Sequence, residues 1–312
     1  MDTEVSTPHP ATSQEAVAPI VVGVDARGRS TSAVVWAAEE AERAKAPLRL
    51  ITVHEGDTDS EDPHAAHGLA ALARRLTLAD VGYDAATGIP SEVLVEEAAH
   101  ASMLVVGRRT LGTPQRLLLG STSLAVAGHS RVPVVVVPEP WIQPSLSSAP
   151  VVVGVTAPDL TKDERHDPAR ESTILTFAFA RASRLRVPLI VLSAWEVPSV
   201  YSWSPADVEA CRTRYDEALE ALIAPWRDRH QDLEVVTRSV AEPPAQALLE
   251  ASKVCQLVVV GQHLGPYLER LTVGGTTARV LADANRPVAV VPLGLSAVPH
   301  READVPTWAP TF

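Results

Sequence analysis

The chain contains two copies of one sequence pattern, and this internal repeat restricts its possible folds more than any other feature. Each copy has an apolar stretch near its start, a second one that ends in glycine and a third one bounded by prolines. The matching pairs are Ala18–Asp25 with Ala149–Thr156, Leu104–Gly107 with Val258–Gly261, and Pro133–Pro138 with Pro287–Pro292. A repeated unit of roughly 120 to 150 residues is long enough to form a domain with its own core.

The limits of the domains follow from the repeat and from the composition between its copies. The 312 residues divide into a tail at 1–17, domain 1 at 18–138, a linker rich in proline and serine at 139–149, domain 2 at 150–294 and a second tail at 295–312. Members of the first pair of stretches are 131 residues apart and those of the other two are 154 apart, so the second copy is longer. We place the extra length at 157–168 and around a helix predicted at 207–230. Both tails have few periodic apolar positions and are expected to be poorly ordered or loosely docked.

Each copy alternates short apolar runs with helical patterns, as parallel α/β proteins do. The predicted strands of the first copy are Ile20–Val24, Leu48–Val53, a weak one at Tyr83–Thr87, Met103–Val106 and Val134–Val137. The first helix of each copy has a regular apolar face, formed by Val34, Ala37, Ala38 and Ala41 in one and by Ile174, Phe177, Ala178 and Leu185 in the other. We therefore predict an α/β fold with two tandem, doubly wound, parallel-sheet domains of Rossmann-like type and helices on both faces. Ligands bind such sheets at the carboxyl ends of the strands.

Composition excludes several classes of function. No apolar run is long enough to span a membrane, and the polar N-terminal segment lacks the features of a signal peptide, so we expect a cytoplasmic location. The net charge of −11 disfavours binding to a nucleic-acid backbone. Cys211 and Cys255 do not have the spacing of a disulfide framework or a structural zinc site. Small ligands and other proteins are the better candidates.

The loop after the fourth strand has the composition of a phosphate-binding loop. It runs from Gly107 through Gly112 to Gly120, where Ser121, Thr122 and Ser123 begin a helix. Glycines allow a ligand to approach the backbone, and a helix N-terminus offers free N–H groups to an anion. Threonine and proline at 113–114 exclude a Walker A loop, and the frame around the serine is not that of a nucleophile elbow.

Three features of the first copy together carry a resemblance to a known family. They are a first strand that ends V-G-V-D at Gly23 and Asp25, a fourth strand that ends V-V-G at Val106 and Gly107, and a glycine-rich loop that ends G-S at Gly120 and Ser121. In these features the chain resembles the universal stress protein family in its tandem form. The resemblance covers most of the chain. It implies the adenine-nucleotide alpha-hydrolase-like fold, a nucleotide ligand such as ATP or AMP, with Mg²⁺ accompanying the nucleotide, and pairing of domains through the last strand. The site residues that it implies are Gly23, Asp25, Val53, Val106, Gly107, Gly120, Ser121, Thr122 and Ser123, and we add the loop glycine Gly112 to them.

Within the resemblance, Asp25 is implied to face the ribose or the metal-bound phosphates and Val53 to contact adenine. The other site residues are implied to hold ribose and phosphates. Both copies depart from the family pattern. In the first, Thr110 replaces the second glycine of the loop, and Gly112 is expected to supply the flexibility. In the second, Thr156, Leu264 and Gly275 replace the aspartate, a glycine and a hydroxyl residue, so we expect one nucleotide per chain, in domain 1.

Other functions stay open at this stage. The chain is either a nucleotide-binding regulatory or protective module in a stress response, a scaffold protein whose sites have decayed, or a weak ATPase. Weaker hypotheses concern a metal site in the acidic stretch 54–67, with a solvated loop as the alternative, and an aromatic pocket at Tyr201, Trp203 and Trp226. Arg108, Arg109 and Arg116 either neutralise phosphates or lie on a solvated loop face. The last strands of the two copies are short and apolar, and we predict that they pair with each other as an intramolecular pseudo-dimer, with a homodimer as a secondary possibility.

Overall fold

The structure is a computed structural model that describes residues 17–25, 30–54, 80–108, 120–141, 148–157, 168–195, 204–262 and 273–292. The described elements of the first half are β1 (Ile20–Val24), α1 (Thr31–Ala44), β2 (Leu48–His54), β3 (Val81–Thr87), α2 (Pro90–Glu97), β4 (Met103–Arg108), α3 (Ser121–His129) and β5 (Val134–Pro138). Those of the second half are β6 (Val151–Val155), α4 (Pro168–Leu185), β7 (Leu189–Ala194), α5 (Pro205–Arg229), β8 (Val235–Val240), α6 (Pro244–Ser252), β9 (Leu257–Gly261), α7 (Gly275–Asp283) and β10 (Val288–Val291).

The described strands of both halves form one sheet of ten strands. Its order is β3-β2-β1-β4-β5-β10-β9-β6-β7-β8, so each half has the same strand order running outward from the centre. Neighbouring strands are parallel except at the centre, where β5 and β10 are antiparallel. The predicted α/β fold and the predicted pairing of the two last strands are therefore confirmed. The two domains share one continuous sheet because their apolar edge strands cover each other.

Helices cover both faces of this sheet, as a doubly wound fold requires. The apolar stripes of α1, α4 and α5 pack on one face, in a core that also contains Val22, Val135 and Val153. Helices α2, α3, α6 and α7 pack on the other face, in a core that contains Val21, Val106 and Val260. Each core runs through both halves, because β5 and β10 join the halves into one sheet and contribute residues to both cores.

A pseudo-twofold axis relates the two halves and passes through the centre of the sheet. Val134 pairs with Val290, Val135 with Ala289 and Val136 with Val288. Since the last strands correspond at a spacing of 154 residues, Val135 and Ala289 are equivalent positions that face each other. The axis therefore lies between these two residues.

The first helices of the two halves also correspond residue by residue, at a spacing of 141. Lys45 and Arg186 both end their helix in the left-handed conformation, with φ of 52° and 54°. In the first half the N–H of Ala46 donates to the carbonyl of Ala41 at 3.0 Å, and in the second the N–H of Val187 donates to that of Ala182 at 3.1 Å. The same C-terminal turn thus closes α1 and α4.

Several sequence predictions lie wholly or mainly outside the described residues. These are the two tails other than Val17, the acidic stretch other than His54, and the residues Tyr201, Trp203, Arg109, Thr110, Gly112, Arg116 and Leu264. Trp226, the third member of the predicted aromatic pocket, is buried and stacks on Phe179 with ring centroids 5.4 Å apart. Among the described helices, none is both long and apolar enough to cross a membrane.

Candidate functional site

The ends of β1 and β4 and the starts of α1 and α3 meet at one edge of the sheet in the first half. The backbone N–H of Asp25 donates to Ser30 Oγ at 3.0 Å, which joins the end of β1 to the start of α1. The hydroxyl of Ser123 donates to the carbonyl of Gly107 at 2.9 Å, which joins α3 to β4. Ser30 lies beside Gly107: the distance from Ser30 Oγ to a Cβ placed on this glycine would be 3.7 Å. The structure therefore brings Asp25, Gly107 and Ser123 together, as the sequence predicts.

Helix α3 presents its N-terminus to this edge. Gly120 occupies the N-cap position, and no side chain among the described residues caps the helix there. The first N–H groups of a helix have no partner within the helix, so they can bind an anion. Ser121 is exposed and Thr122 is partly exposed, whereas Ser123 is buried. The Ser123 hydroxyl is engaged with Gly107, so its observed contact positions the helix against the strand.

The glycines of the predicted site differ in what surrounds them. Among the described residues, an added Cβ would come no closer than 3.7 Å to another atom at Gly107 and 3.9 Å at Gly120, which are ordinary contact distances. An added Cβ on Gly23 would lie 2.8 Å from Leu94 Cδ1, so α2 leaves no room for a side chain there. Gly154 has the same relation to Leu248 at 3.1 Å. Packing against α2 accounts for Gly23, whereas protein packing does not require the glycines at 107 and 120.

Apolar side chains line the same edge on the α2 and α3 side of the sheet. Val106 is buried, and Val53 is half-buried and packs against the same core. The hydroxyl of buried Thr52, the residue before Val53, donates to the carbonyl of Val24 at 3.1 Å and holds the ends of β1 and β2 together. His54 follows Val53, and its buried Nε2 has no hydrogen-bond partner among the described residues.

Two residues of this edge were not predicted from the sequence, Ser30 and Thr52, and His54 was considered only as the first residue of the acidic stretch 54–67. A serine directly before a helical pattern is a signal for an N-cap, and this signal could have drawn attention to Ser30. No comparable signal marks Thr52, since a threonine inside a strand is common.

The side chain of Arg108 points toward the other half of the molecule, which neither of its two predicted roles anticipated. Its side chain is buried and donates to the carbonyls of Leu281, Ala282 and Ala284 at 2.8, 2.7 and 2.7 Å. These carbonyls belong to the C-terminus of α7 in the other half, where the helix dipole favours a cation. Burial lowers the pKa of Arg108, and the charge of Asp283 partly opposes this effect. Both predicted roles, neutralising phosphates and lying on a solvated face, are therefore wrong for Arg108.

The second half has an equivalent edge with different chemistry. Thr277 donates to the carbonyl of Gly261 at 3.2 Å, as Ser123 does to that of Gly107. Gly274 is the N-cap of α7, and Gly275 stands where the first half has Ser121. The N–H of Thr156 donates to the carboxylate of Glu171 at 3.2 Å. At the helix spacing of 141, Glu171 is the counterpart of Ser30, so the second half places a buried carboxylate where the first has a hydroxyl.

Both halves of the chain match the same family of known proteins. The model of the universal stress protein family matches residues 17–138 and again residues 166–292. The chain belongs to the universal stress protein family. Universal stress proteins of similar length share the tandem arrangement: one from Mycolicibacterium smegmatis is 31% identical over 297 residues, which cover 87% of this chain and 96% of that protein. One from Mycobacterium tuberculosis is 30% identical over 293 residues, with the same coverage of 87% and 96%.

Solved structures of universal stress proteins have the same fold. A universal stress protein from Archaeoglobus fulgidus has a TM-score of 0.62 and 16% identity, and the match covers 88% of this chain and 98% of that chain. Two others match about half of this chain or less. One is a complex with cAMP (29% identity, TM-score 0.34, covering 40% and 98%), and the other, from Archaeoglobus fulgidus, is a complex with dAMP (21%, 0.33, 47% and 99%).

Proposed function

We propose that the first half of this universal stress protein binds an adenine nucleotide, ATP or AMP, at the carboxyl ends of β1, β2 and β4. The observation that carries the proposal is that the described residues do not require glycine at 107 and 120, since an added Cβ would make only ordinary contacts with them, at 3.7 and 3.9 Å. Gly120 is also the N-cap of α3, and no side chain among the described residues caps that helix. A glycine that packing does not require, beside free N–H groups, fits a site where a phosphate approaches the backbone.

The residues of the first half fit the parts of such a ligand. Val53 packs against the core that contains buried Val106, and this part of the edge offers an apolar wall to adenine. The N–H groups at the start of α3 and the hydroxyls of Ser121 and Thr122 suit the phosphates. Asp25 would hold the ribose or a Mg²⁺ ion bound with the phosphates, for which a carboxylate is a suitable ligand.

The second half is a poorer site for the same ligand. Thr156 and Gly275 lack the carboxylate and the hydroxyl of their counterparts Asp25 and Ser121. Glu171 places a buried carboxyl group at the end of β6, where the first half has the hydroxyl of Ser30, and an acidic group is a poorer neighbour for a phosphate. One nucleotide per chain therefore binds, in the first half.

The proposed role is regulatory or protective binding in a stress response, without catalysis as the main activity. The motifs offer no general base beside a positioned nucleophile, so bound ATP is expected to be hydrolysed slowly. Release of phosphate from ATP, measured with the wild type and with Asp25→Asn, checks this expectation. Rapid turnover that Asp25→Asn abolishes would favour an ATPase instead.

Calorimetric titration with ATP and Mg²⁺ tests the binding site. The variants are Gly120→Val and, as the matched control at the equivalent N-cap, Gly274→Val. Their φ angles of −58° and −56° are open to valine, so both variants should fold as the wild type does. We expect one site in the wild type, loss of binding in Gly120→Val and nearly unchanged binding in Gly274→Val.

Each other outcome contradicts part of the proposal. Two equivalent sites, or loss of binding only in Gly274→Val, would refute the assignment to the first half. An empty wild-type protein at saturating ATP would favour the scaffold alternative. Mass spectrometry of small molecules released from the purified protein would identify a nucleotide retained through purification.

A further inference from the structure

A buried ion pair joins the first helices of the two halves. Glu40 of α1 is fully buried, and the guanidinium of Arg181 in α4, itself only 5% exposed, donates to its carboxylate. The same guanidinium lies over the ring of Trp36, 5.6 Å from the ring centre. Arg184 and Arg43 approach the Glu40 carboxylate to 3.4 and 3.8 Å from the partly exposed side. The cluster thus contains one acid, contributed by the first half, and three arginines, of which Arg43 and Arg184 are equivalent positions 141 residues apart.

Glu40 and Arg181 occupy the same position in the repeat. They are 141 residues apart, the spacing at which the turns ending at Lys45 and Arg186 coincide. Two equivalent positions in direct contact must lie close to the pseudo-twofold axis. Any pairing of a half with another copy of itself through the same interface would therefore bring each of these residues against its own copy.

Such self-pairing would be unfavourable for either half. Two first halves would bury Glu40 against Glu40, and two second halves would bury Arg181 against Arg181. Two second halves would bring Arg181 and Arg184 of both copies together with no acid, and two first halves would put two buried carboxylates in contact, a cost that Arg43 of each copy offsets only in part from the partly exposed side. The axis carries a second asymmetry, since Val135 faces the smaller Ala289. Only a first half against a second half puts a carboxylate against a guanidinium at the buried position, with a larger residue opposite a smaller one at the centre of the sheet.

We propose that Glu40 and Arg181 act as a pairing code, so that the interface surface of each half fits a half of the opposite type and rejects its own type. The partner that this surface fits is the complementary half, in the same chain or, when the intrachain pair is mismatched, in a second chain. The proposal rests on the interface alone and does not depend on nucleotide binding.

Exchange of halves between full-length chains tests the code. Glu40→Arg mismatches the pair with two arginines, and Arg181→Glu mismatches it with two glutamates. When the two variants are mixed, the altered first half of one chain matches the altered second half of the other, and the two unaltered halves also match. We expect ¹⁵N-labelled Glu40→Arg, refolded together with unlabelled Arg181→Glu, to form labelled–unlabelled dimers in native mass spectrometry. Their yield should be at least tenfold above that of a mixture of labelled and unlabelled wild type.

Three controls separate pairing from general damage. Each variant refolded alone should give no comparable dimer, and the chain with both Glu40→Arg and Arg181→Glu should exchange halves no more than the wild type does. Glu209→Arg reverses an exposed charge of α5 that pairs only with Arg212 in the described structure, and mixing it with Arg181→Glu should give no exchange. If the mixture of Glu40→Arg and Arg181→Glu yields no more dimer than the wild type, the proposal is overturned, whether or not the separate variants fold.

Discussion

Replacing Arg108 by alanine removes the cation that the first half places at the C-terminus of α7. Three carbonyls, those of Leu281, Ala282 and Ala284, lose donors at 2.7 to 2.8 Å. Each buried acceptor left without a partner costs about 1–3 kcal/mol, so the gross loss is several kcal/mol. Removing a buried guanidinium also recovers part of its desolvation cost, which the lowered pKa of Arg108 reflects. We expect a net loss of about 3 kcal/mol in the free energy of unfolding, in line with the breaking of a buried charged contact.

The molecule itself suggests the matched variant. Gln262 is the counterpart of Arg108 in the repeat, and its side-chain amide donates to the carbonyls of Ala127 and Gly128 at the C-terminus of α3. Arg108→Gln should therefore keep two of the three bonds and lose only about 1 kcal/mol. Arg131→Ala, at an exposed arginine, controls for loss of a positive charge and should stay within about 0.5 kcal/mol of the wild type.

Urea unfolding followed by tryptophan fluorescence measures these differences. The expected order of stability is wild type and Arg131→Ala, then Arg108→Gln, then Arg108→Ala. An Arg108→Ala variant as stable as Arg131→Ala would show that the three carbonyls are satisfied by water, and the reasoning would fail. Equal losses for alanine and glutamine at position 108 would show that charge alone, without the reciprocal hydrogen bonds, stabilises the interface.

Two further predictions concern single residues. Gly23→Ala places a Cβ 2.8 Å from Cδ1 of buried Leu94 and should lower the free energy of unfolding by about 1–3 kcal/mol without any nucleotide present. In the control Gly82→Ala, the Cβ meets only Arg49 Cγ among the described residues, at 3.9 Å, so this variant should not destabilise. Chemical denaturation compares the two variants, and equal stability would contradict the packing role of Gly23. Burial raises the pKa of Cys255 to about 12, so at pH 8 iodoacetamide should alkylate the partly exposed Cys211 and leave Cys255 unmodified until the chain is unfolded. Peptide mass spectrometry reads the two thiols separately, and alkylation of native Cys255 at the rate of Cys211 would refute its burial.

The elements of the fold could be predicted from the sequence because their signals are local. Runs of valine such as Val134–Val137 predict buried strands, and the apolar spacing from Val34 to Ala41 predicts α1. The location of the site at the carboxyl ends of β1 and β4 follows from the general geometry of parallel sheets. The pairing of the last strands could be predicted because an uncovered apolar edge needs a partner, whereas its antiparallel direction was not predicted.

Side-chain directions at the site could not be predicted in this way, because they depend on neighbours distant in the sequence. Arg108 follows a glycine at the start of the predicted loop, but its direction is set by α7 of the other half. Gly23 has the spacing of a ligand-binding glycine, yet its closest constraint is Leu94, which lies 71 residues further along the chain. Glu171 lies within a helical pattern, and its hydrogen bond with the N–H of Thr156 depends on how α4 packs against β6.

The antiparallel junction of β5 and β10 has a consequence for access from solution. Within each half the strands run parallel, so reversing direction at the centre points the carboxyl ends of the two halves in opposite directions. The proposed ligand-binding edge of the first half and the equivalent edge of the second half therefore open on opposite sides of the molecule. A partner protein that covers the first opening leaves the second one uncovered, and each side can be recognised independently of the other.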